Sequence, residues 1–433
     1  MIRRTICEWQ RIAYGSDDTE IPEALADGIV AVAQTSLFAG RRGEGVLEHG
    51  RKGLRARGVV GVIATPGCQL EILPKIESAD EEGVTNATLR HRLIHMLAVA
   101  YDLPIELGAL TNLGWQRDTV LEILIRLFSG KLADAVRQGM PRQYLEHEDD
   151  LPALRGNLDV TRQFSTLAIS PQKLACRFDA LSPNIALNQI MKATVNKLTR
   201  LTQATDNQRK LRELSFVYAD VADVPPNALR WDQITLDRTN QRWRDLLSLA
   251  QLFLSNRHQQ TSSGKIDGHA ILFEMNVLFE KYIARLLTRA LAGTGLSAST
   301  QGGQRDCLYE SNTGRFRTRP DLIIRKNDQI VLIIDTKWKR MTPRIDDPKQ
   351  GVSQSDVYQM MAYGQLYHCP NIMLLYPHHN GLPENPIIQH YSVASVGAEE
   401  KLSLATIDVS GSAVGHRKAL NGLVVSCLNK VSS

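Results

Sequence analysis

One strand end constrains this 433-residue chain more than any other feature. The apolar run Val331-Leu332-Ile333-Ile334 passes directly into Asp335-Thr336-Lys337. Such a run reads as a buried strand, and the side-chain period of a strand is two. Asp335 and Lys337 therefore emerge on one face. A carboxylate able to hold a hard cation, beside a lysine able to orient or deprotonate water, is the minimum equipment for metal-assisted phosphodiester hydrolysis. The same pattern also ends ordinary strands with a solvated Asp and Lys, so the neighbourhood has to decide.

Pro320-Asp321 lies fourteen residues before Asp335. Residues 317–324 and 329–338 are two strand-like runs separated by Lys326-Asn327-Asp328, a hairpin turn by composition. Folding back there places Asp321 roughly opposite Ile333 and makes Asp335 its diagonal neighbour. Arg315, Arg317, Arg319 and Asp321 alternate, so three guanidinium groups are expected on the face of Asp321, suited to a phosphate backbone. Lys339 joins them as a DNA-contacting candidate. Residues 301–345 hold ten Arg or Lys against five Asp or Glu.

Downstream, residues 355–367 read as a helix with Asp356, Gln359, Tyr363 and Tyr367 along one side, and residues 372–376 as a strand. Upstream, residues 270–291 read as a helix with an apolar stripe through Ile271, Leu272, Met275, Leu278, Phe279, Tyr282 and Leu286. Glu280 lies off that stripe. Spacing leaves open whether it is solvated or functional.

Pro-Asp followed by D-x-K resembles the signature of the PD-(D/E)xK nucleases, and strand, strand, helix, strand is the order of their core. Gln359-x-x-x-Tyr363 is similar to the motif that follows D-x-K in the RecB-like branch. Over most of its length the chain resembles one family, McrC, the nuclease subunit of McrBC-type modification-dependent restriction systems. Met275-Asn276-Val277-Leu278-Phe279-Glu280 carries that resemblance with the nuclease motifs. Looser matches are Leu70-Glu71-Ile72-Leu73-Pro74-Lys75-Ile76, Arg155-Gly156-Asn157-Leu158-Asp159 and Asn188-x-x-x-Lys192.

The resemblance implies a Mg²⁺-dependent endonuclease, with Mn²⁺ able to substitute, acting on double-stranded DNA. Asp321 and Asp335 would hold the ion, with Thr336 offering its carbonyl and Glu280 a metal-bound water. Lys337 would position or deprotonate the attacking water, with Gln359 and Tyr363 orienting the group. It also implies a McrB-like hexameric AAA+ NTPase partner, using GTP or ATP, into whose ring an N-terminal stalk inserts.

The expected fold class is multidomain α+β: a β-rich N-terminal region, a helical middle, and a C-terminal restriction-endonuclease-like α/β core. The boundaries read as 1–150 for the partner-binding region, 151–264 for the middle and 265–433 for the nuclease, with Ser262-Ser263-Gly264 as linker. Residues 59–63 and 69–73 form a hairpin about Pro66-Gly67, and residues 88–101, 119–137 and 185–203 read as helices. Acidic residues 146–150 separate the first two regions.

Composition is that of an ordinary soluble protein, at 43% hydrophobic and 22% charged. A net charge of +5 says little about nucleic acid. Six scattered cysteines without a C-x-x-C pair argue against structural zinc and a disulfide framework. No apolar run approaches a membrane span or a leader, so a cytoplasmic protein is expected. No G-x-x-x-x-G-K-[S/T] occurs, so NTP hydrolysis belongs to the partner. Arg41, Arg42, Arg51, Lys52, Arg55 and Arg57, against Glu44 and Glu48, form either a solvated loop or a basic projection toward ring or DNA. Two other readings compete: a stand-alone RecB-like repair or processing nuclease, and a non-catalytic ring-activating adaptor.

Overall fold

The computed structural model describes residues 1–36, 38, 45–75, 85–103, 118–170, 172–236, 242–255, 268–310, 313–341, 351–393, 400–410 and 413–429. Ser262-Ser263-Gly264, Arg41, Arg42, Glu44 and Ile76 lie outside the described residues. The chain divides into two compact units, residues 1–120 with 257–433, and residues 121–256. That division differs from the three consecutive ranges expected.

The first unit opens with β1 (Ile2–Cys7), β2 (Arg11–Ala13), α1 (Glu23–Gln34), β3 (Leu47–Gly50), β4 (Gly53–Ala56), β5 (Val59–Thr65), β6 (Cys68–Leu73) and α2 (Asn86–Ala100). β5 and β6 form the expected hairpin, with Thr65 facing Cys68 across Pro66-Gly67. Gly67 sits at φ +92°, as the third position of a type II turn requires. Both strands are buried throughout. α1 covers them with Ala26, Ile29, Val30 and Ala33 in one core with Ile63 and Leu70.

The second unit comprises α3 (Val120–Arg137), β7 (Gln143–Leu151), β8 (Asn157–Leu158), α4 (Val160–Phe164), β9 (Leu174–Ser182), α5 (Ala186–Leu201), α6 (Thr205–Val217) and α7 (Trp243–Ser255). The acidic segment expected as a divider is strand β7, and the middle is not wholly helical. β7 pairs antiparallel with β9, and Arg177 on β9 bridges Glu146, Glu148 and Asp159. Opposite charges across a ladder make an acidic run a stable strand. The looser motif residues are structural here. Gly156 takes φ +69° with Arg177 O only 2.5 Å from where a Cβ would sit. Asp159 caps α4, and Asn188 binds the carbonyls of Pro141 and Pro183.

The first unit resumes with β10 (His269–Glu274), α8 (Met275–Ala290), β11 (Leu296–Thr300), β12 (Asp306–Glu310), β13 (Thr313–Arg317), β14 (Leu322–Lys326), β15 (Gln329–Thr336), α9 (Gln354–Tyr367), β16 (Asn371–Pro377), β17 (Ile387–Val393), β18 (Glu400–Ile407) and α10 (Ala413–Asn429). The helix expected from residue 270 begins at Met275, because the preceding residues are β10. That strand pairs antiparallel with β5, closing a sheet of order β1-β6-β5-β10. Ala270 and Leu272 join the core of α1 and β6. A short apolar run fits a buried strand as well as a helix stripe, which is why periodicity misread it. Gly61 permits the pairing: a Cβ there would stand 2.0 Å from Ile271 O. The N-terminal sheet is thus completed by a strand from the C-terminal half.

A six-stranded mixed sheet follows, ordered β11-β14-β15-β16-β18-β17, with β15, β16 and β18 parallel. α9 lays Met360, Tyr363 and Tyr367 on Ile323, Ile333, Ile372 and Leu374. No helix among the described residues is long and apolar enough to cross a membrane.

Candidate active site

The turn between β14 and β15 is two residues long, Asn327-Asp328, with φ of 49° and 64°. The ladder then shifts by one residue at Ile324/Arg325, so that Leu322 faces Ile334 and Ile323 faces Ile333. Continued one step, this register sets Asp321 directly against Asp335. The expected diagonal placement missed both the tighter turn and the extra residue in β15. Each moves the pairing by one.

Asp335 is 1% exposed. Its Oδ2 forms an ion pair with the Lys337 ammonium at 2.7 Å. Burial, then the charge of Asp321, push its carboxyl up to about 6. Asp321 is pushed up by burial too, against two opposing hydrogen bonds from Thr336. Thr336 donates to Asp321 Oδ2 from its amide at 2.8 Å and its hydroxyl at 2.9 Å. Its observed contribution is therefore to lock the first aspartate.

Lys337 donates to Gln359 Oε1 at 3.3 Å, and Gln359 donates in turn to the Tyr363 hydroxyl at 2.7 Å. Burial opposes its charge, but Asp335, Asp356 and Asp321 outweigh that and raise its proton affinity. Asp356 shares α9 with Gln359 and Tyr363, at a spacing that assigns it no role. It is buried and lies 3.7 Å from the Lys337 ammonium and 2.9 Å from that of Lys339. Tyr376 on β16 was missed. Its buried hydroxyl has no hydrogen-bond partner among the described residues, and the charges of Asp356 and Asp335 act on it.

Glu280 does come to the site. Burial and the charge of Asp321 raise its carboxyl, which accepts from Gln301 at 3.1 Å. Gln301 also accepts from Arg319, and its amide donates to the Asp321 carbonyl at 3.1 Å. The common face expected for Arg315, Arg317 and Arg319 is not found. Phe316 takes φ +54°, the strand breaks after Arg317, and β13 pairs with β12 in a separate hairpin. There Arg315 pairs with Glu310 and Arg317 with Asp306.

Among the described residues no three His, Cys, Asp or Glu side chains form a ready ion cage. A small hard cation does not need one, because Mg²⁺ keeps several waters and is anchored by one or two carboxylates. Two facing aspartates, both with raised proton affinity, fit such an ion.

The family model described as McrBC 5-methylcytosine restriction system component matches residues 54–377, from β4 through β16 and so across every element of this site. The chain belongs to this family. It is 20% identical over 256 residues, 57% of its length and 72% of the relative's, to the Type IV methyl-directed restriction enzyme EcoKMcrBC of Escherichia coli (strain K12). A refined half-complex from a tetradecameric assembly of Thermococcus gammatolerans McrB AAA+ hexamers with bound McrC matches with TM-score 0.71. Identity there is 21%, over 97% of this chain and 100% of that one, a likeness of fold. The cryo-EM structure of the Thermococcus gammatolerans McrBC complex matches with TM-score 0.52 and 25% identity, over 67% of this chain and 88% of that one. The expected membership of the McrBC restriction family thus stands as a finding for this chain.

Proposed function

We propose that this McrBC-family chain is the endonuclease subunit of a modification-dependent restriction complex of the 5-methylcytosine type. It would hydrolyse phosphodiesters of double-stranded DNA with Mg²⁺, or Mn²⁺ in its place, and stimulate a McrB-like AAA+ NTPase hexamer that uses GTP or ATP. The observation that carries the reading is Asp335, a buried carboxylate paired with Lys337 and raised in proton affinity by the charge of Asp321 as well as by burial. β14, β15, α9 and β16 occur in the order of a PD-(D/E)xK core. Support for the partner comes from the Thermococcus gammatolerans assembly, named for McrB hexamers with bound McrC.

Asp321 and Asp335 would hold the ion, with the Thr336 carbonyl as a further ligand. When bound, it polarises the phosphate and lowers the pKa of an attacking water. Lys337, held in its charged form by three carboxylates, acts as a donor that orients the water and offsets developing negative charge. Glu280, with raised proton affinity and steadied by Gln301, is the better acceptor for the water's proton. Gln359 and Tyr363 keep Lys337 aimed. Arg319 and Lys339 are the nearer DNA-contacting candidates, while Arg315 and Arg317 would exchange carboxylates for phosphates. Ring contact is assigned to residues 1–150, where Arg55 and Arg57 flank Trp9 and pair with Glu48.

The test is DNA cleavage by the reconstituted complex. Asp321→Ala, Asp335→Ala and Lys337→Ala should each lower it by roughly 10²-fold or more, while NTPase stimulation survives. Near-parental cleavage by Asp335→Ala removes the site assignment. Robust cleavage by the isolated chain without an NTPase favours a stand-alone nuclease.

A further inference from the structure

The arm that delivers Asp335 and Lys337 leaves its sheet at Thr336. Lys337 still donates its amide to Leu375 O at 2.9 Å, but residues 337–341 are no longer strand. What fixes the arm beyond that point is Trp338. Its amide donates to Asn276 Oδ1 on α8 at 3.2 Å, and its ring packs on Phe279 with centroids 5.3 Å apart. Its indole N–H donates to Glu8 Oε1 at 2.6 Å.

Glu8 follows β1 directly, at the far end of the sequence. Its own amide donates to Leu73 O at 2.9 Å, and the Lys75 amide reaches the same Oε1 at 2.9 Å. The residue is 1% exposed, and Oε2 has no hydrogen-bond partner among the described residues. Burying a carboxyl with one oxygen unsatisfied costs free energy that an apolar side chain would not. The charge of nearby Lys75 offsets part of that cost. The structure supplies a geometric use: one oxygen gathers the end of β6 and the residue after Lys337 onto the end of β1.

We infer that Glu8 is a positioning residue for the Asp335–Lys337 arm: it holds the Trp338 indole at the end of β1, and so fixes the direction in which β15 presents Lys337. The expected effect on rate rests on the nuclease reading; the effect on the order of the arm does not. The contacts along the arm give the lever its sense. Lys337 is bonded to Asp335 and Gln359 while the Trp338 indole is held on Phe279 and Glu8, so a turn of the indole rotates the lysine. β10 adds a second tie, because it leads from the same N-terminal sheet straight into α8, which carries Asn276 and Glu280.

The experiment uses the full chain, alone and with its NTPase partner, as Glu8→Gln, Glu8→Leu and Trp338→Phe. Two readouts are taken: amide hydrogen exchange across residues 335–341, and the split of Mg²⁺-dependent DNA cleavage into kcat and KM. Glu8→Gln keeps an oxygen for both donors and should match the parent in both. Glu8→Leu and Trp338→Phe should speed exchange in the arm roughly tenfold, the scale of one lost hydrogen bond. They should lower kcat by up to about 10²-fold at unchanged KM, the scale of a small misplacement remote from the chemistry. The double variant should be no worse than either single one. Should Glu8→Leu fail to fold, Trp338→Phe, which keeps the ring, carries the test. Parental exchange in the arm of either variant overturns the inference, whatever happens to global stability. A parent complex that cuts no DNA, with an arm that still loosens on these substitutions, defeats the nuclease reading and leaves the positioning role standing.

Discussion

Glu71 on β6 and Asp335 on β15 are both 1% exposed, and their surroundings could hardly differ more. Glu71 is saturated. Arg90 reaches it with three hydrogen bonds of 2.7 to 3.1 Å, the Thr5 hydroxyl adds one at 3.1 Å, and the Val120 amide one at 3.0 Å. Asp335 is paired with the Lys337 ammonium at 2.7 Å and has the charge of a second aspartate acting against it. A buried charge that is fully bonded serves to join segments of chain. One left under-bonded next to a like charge is held by the rest of the fold against its own preference, which is the signature of a site. The same contrast separates Glu122, which accepts from Thr202, Gln203, Ala204 and Asn207, from the aspartate pair.

The largest expected effect tests the saturated side. Glu71→Ala leaves Arg90, whose side chain is only 13% exposed, without its carboxylate. Breaking a buried pair from one side costs about 3–5 kcal/mol, so urea unfolding should show a loss of that order. A loss below about 1 kcal/mol would put Glu71 in the class of surface pairs and dissolve the contrast.

The other side should respond with the opposite sign. The folded chain raises the Asp335 carboxyl from its ordinary 3.8 to about 6, so the folded state holds the proton more tightly than the unfolded one. Stability from this group is complete below pH about 4 and is lost as the pH rises through about 6. Asp335→Asn should therefore melt higher than the parent at pH 8, on the order of 1 kcal/mol, and converge with it at pH 4. A cation should relieve the same repulsion. At a hundredfold excess over its dissociation constant, Mg²⁺ should stabilise the parent at pH 8 by about 2.7 kcal/mol, less at pH 5, and leave Asp335→Asn nearly unmoved. An equal Mg²⁺ effect on both proteins would detach the ion from this pair.

How much of this was legible in the sequence varies by element. The D-x-K strand, its partner, the α9 helix and β16 were readable because each has a clean period and a turn or cap at its ends. β10 was not, because four apolar residues before a helix satisfy both periods, and only its pairing with β5 decides. A fragment ending near residue 261 lacks that strand. Such a fragment leaves the edge of β5 bare, and an exposed apolar edge aggregates. Extending it beyond Glu274 should restore solubility. The facing of Asp321 and Asp335 was off by one diagonal step because a two-residue turn and an extra residue in β15 have no strong sequence mark. Asp356 was visible at helical spacing from Gln359 and Tyr363, but nothing in a lone sequence says that two lysines converge on it.

The smallest effect, and the most discriminating about mechanism, is at Gln359. It bridges Lys337 and Tyr363 with bonds of 3.3 and 2.7 Å, while Lys337 keeps Asp335 at 2.7 Å as its principal partner. Gln359→Ala removes one modest hydrogen bond, so cleavage should fall only about 3- to 10-fold, the rate equivalent of roughly 0.5–1.5 kcal/mol. Tyr363→Phe should cost no more, and the two together should be sub-additive, because the Tyr363 hydroxyl is bonded to the same Gln359 that accepts from Lys337. Gln359→Glu then separates the two roles open to Lys337. A third close carboxylate beside Asp335 and Asp356 holds the lysine still more firmly in its charged form. A lysine that acts as a donor tolerates this, and Gln359→Glu should cleave at least as well as Gln359→Ala. A lysine that must take the water's proton is disabled by it. Gln359→Glu activity far below that of Gln359→Ala, recovering as the pH is raised, would move the general base from Glu280 to Lys337.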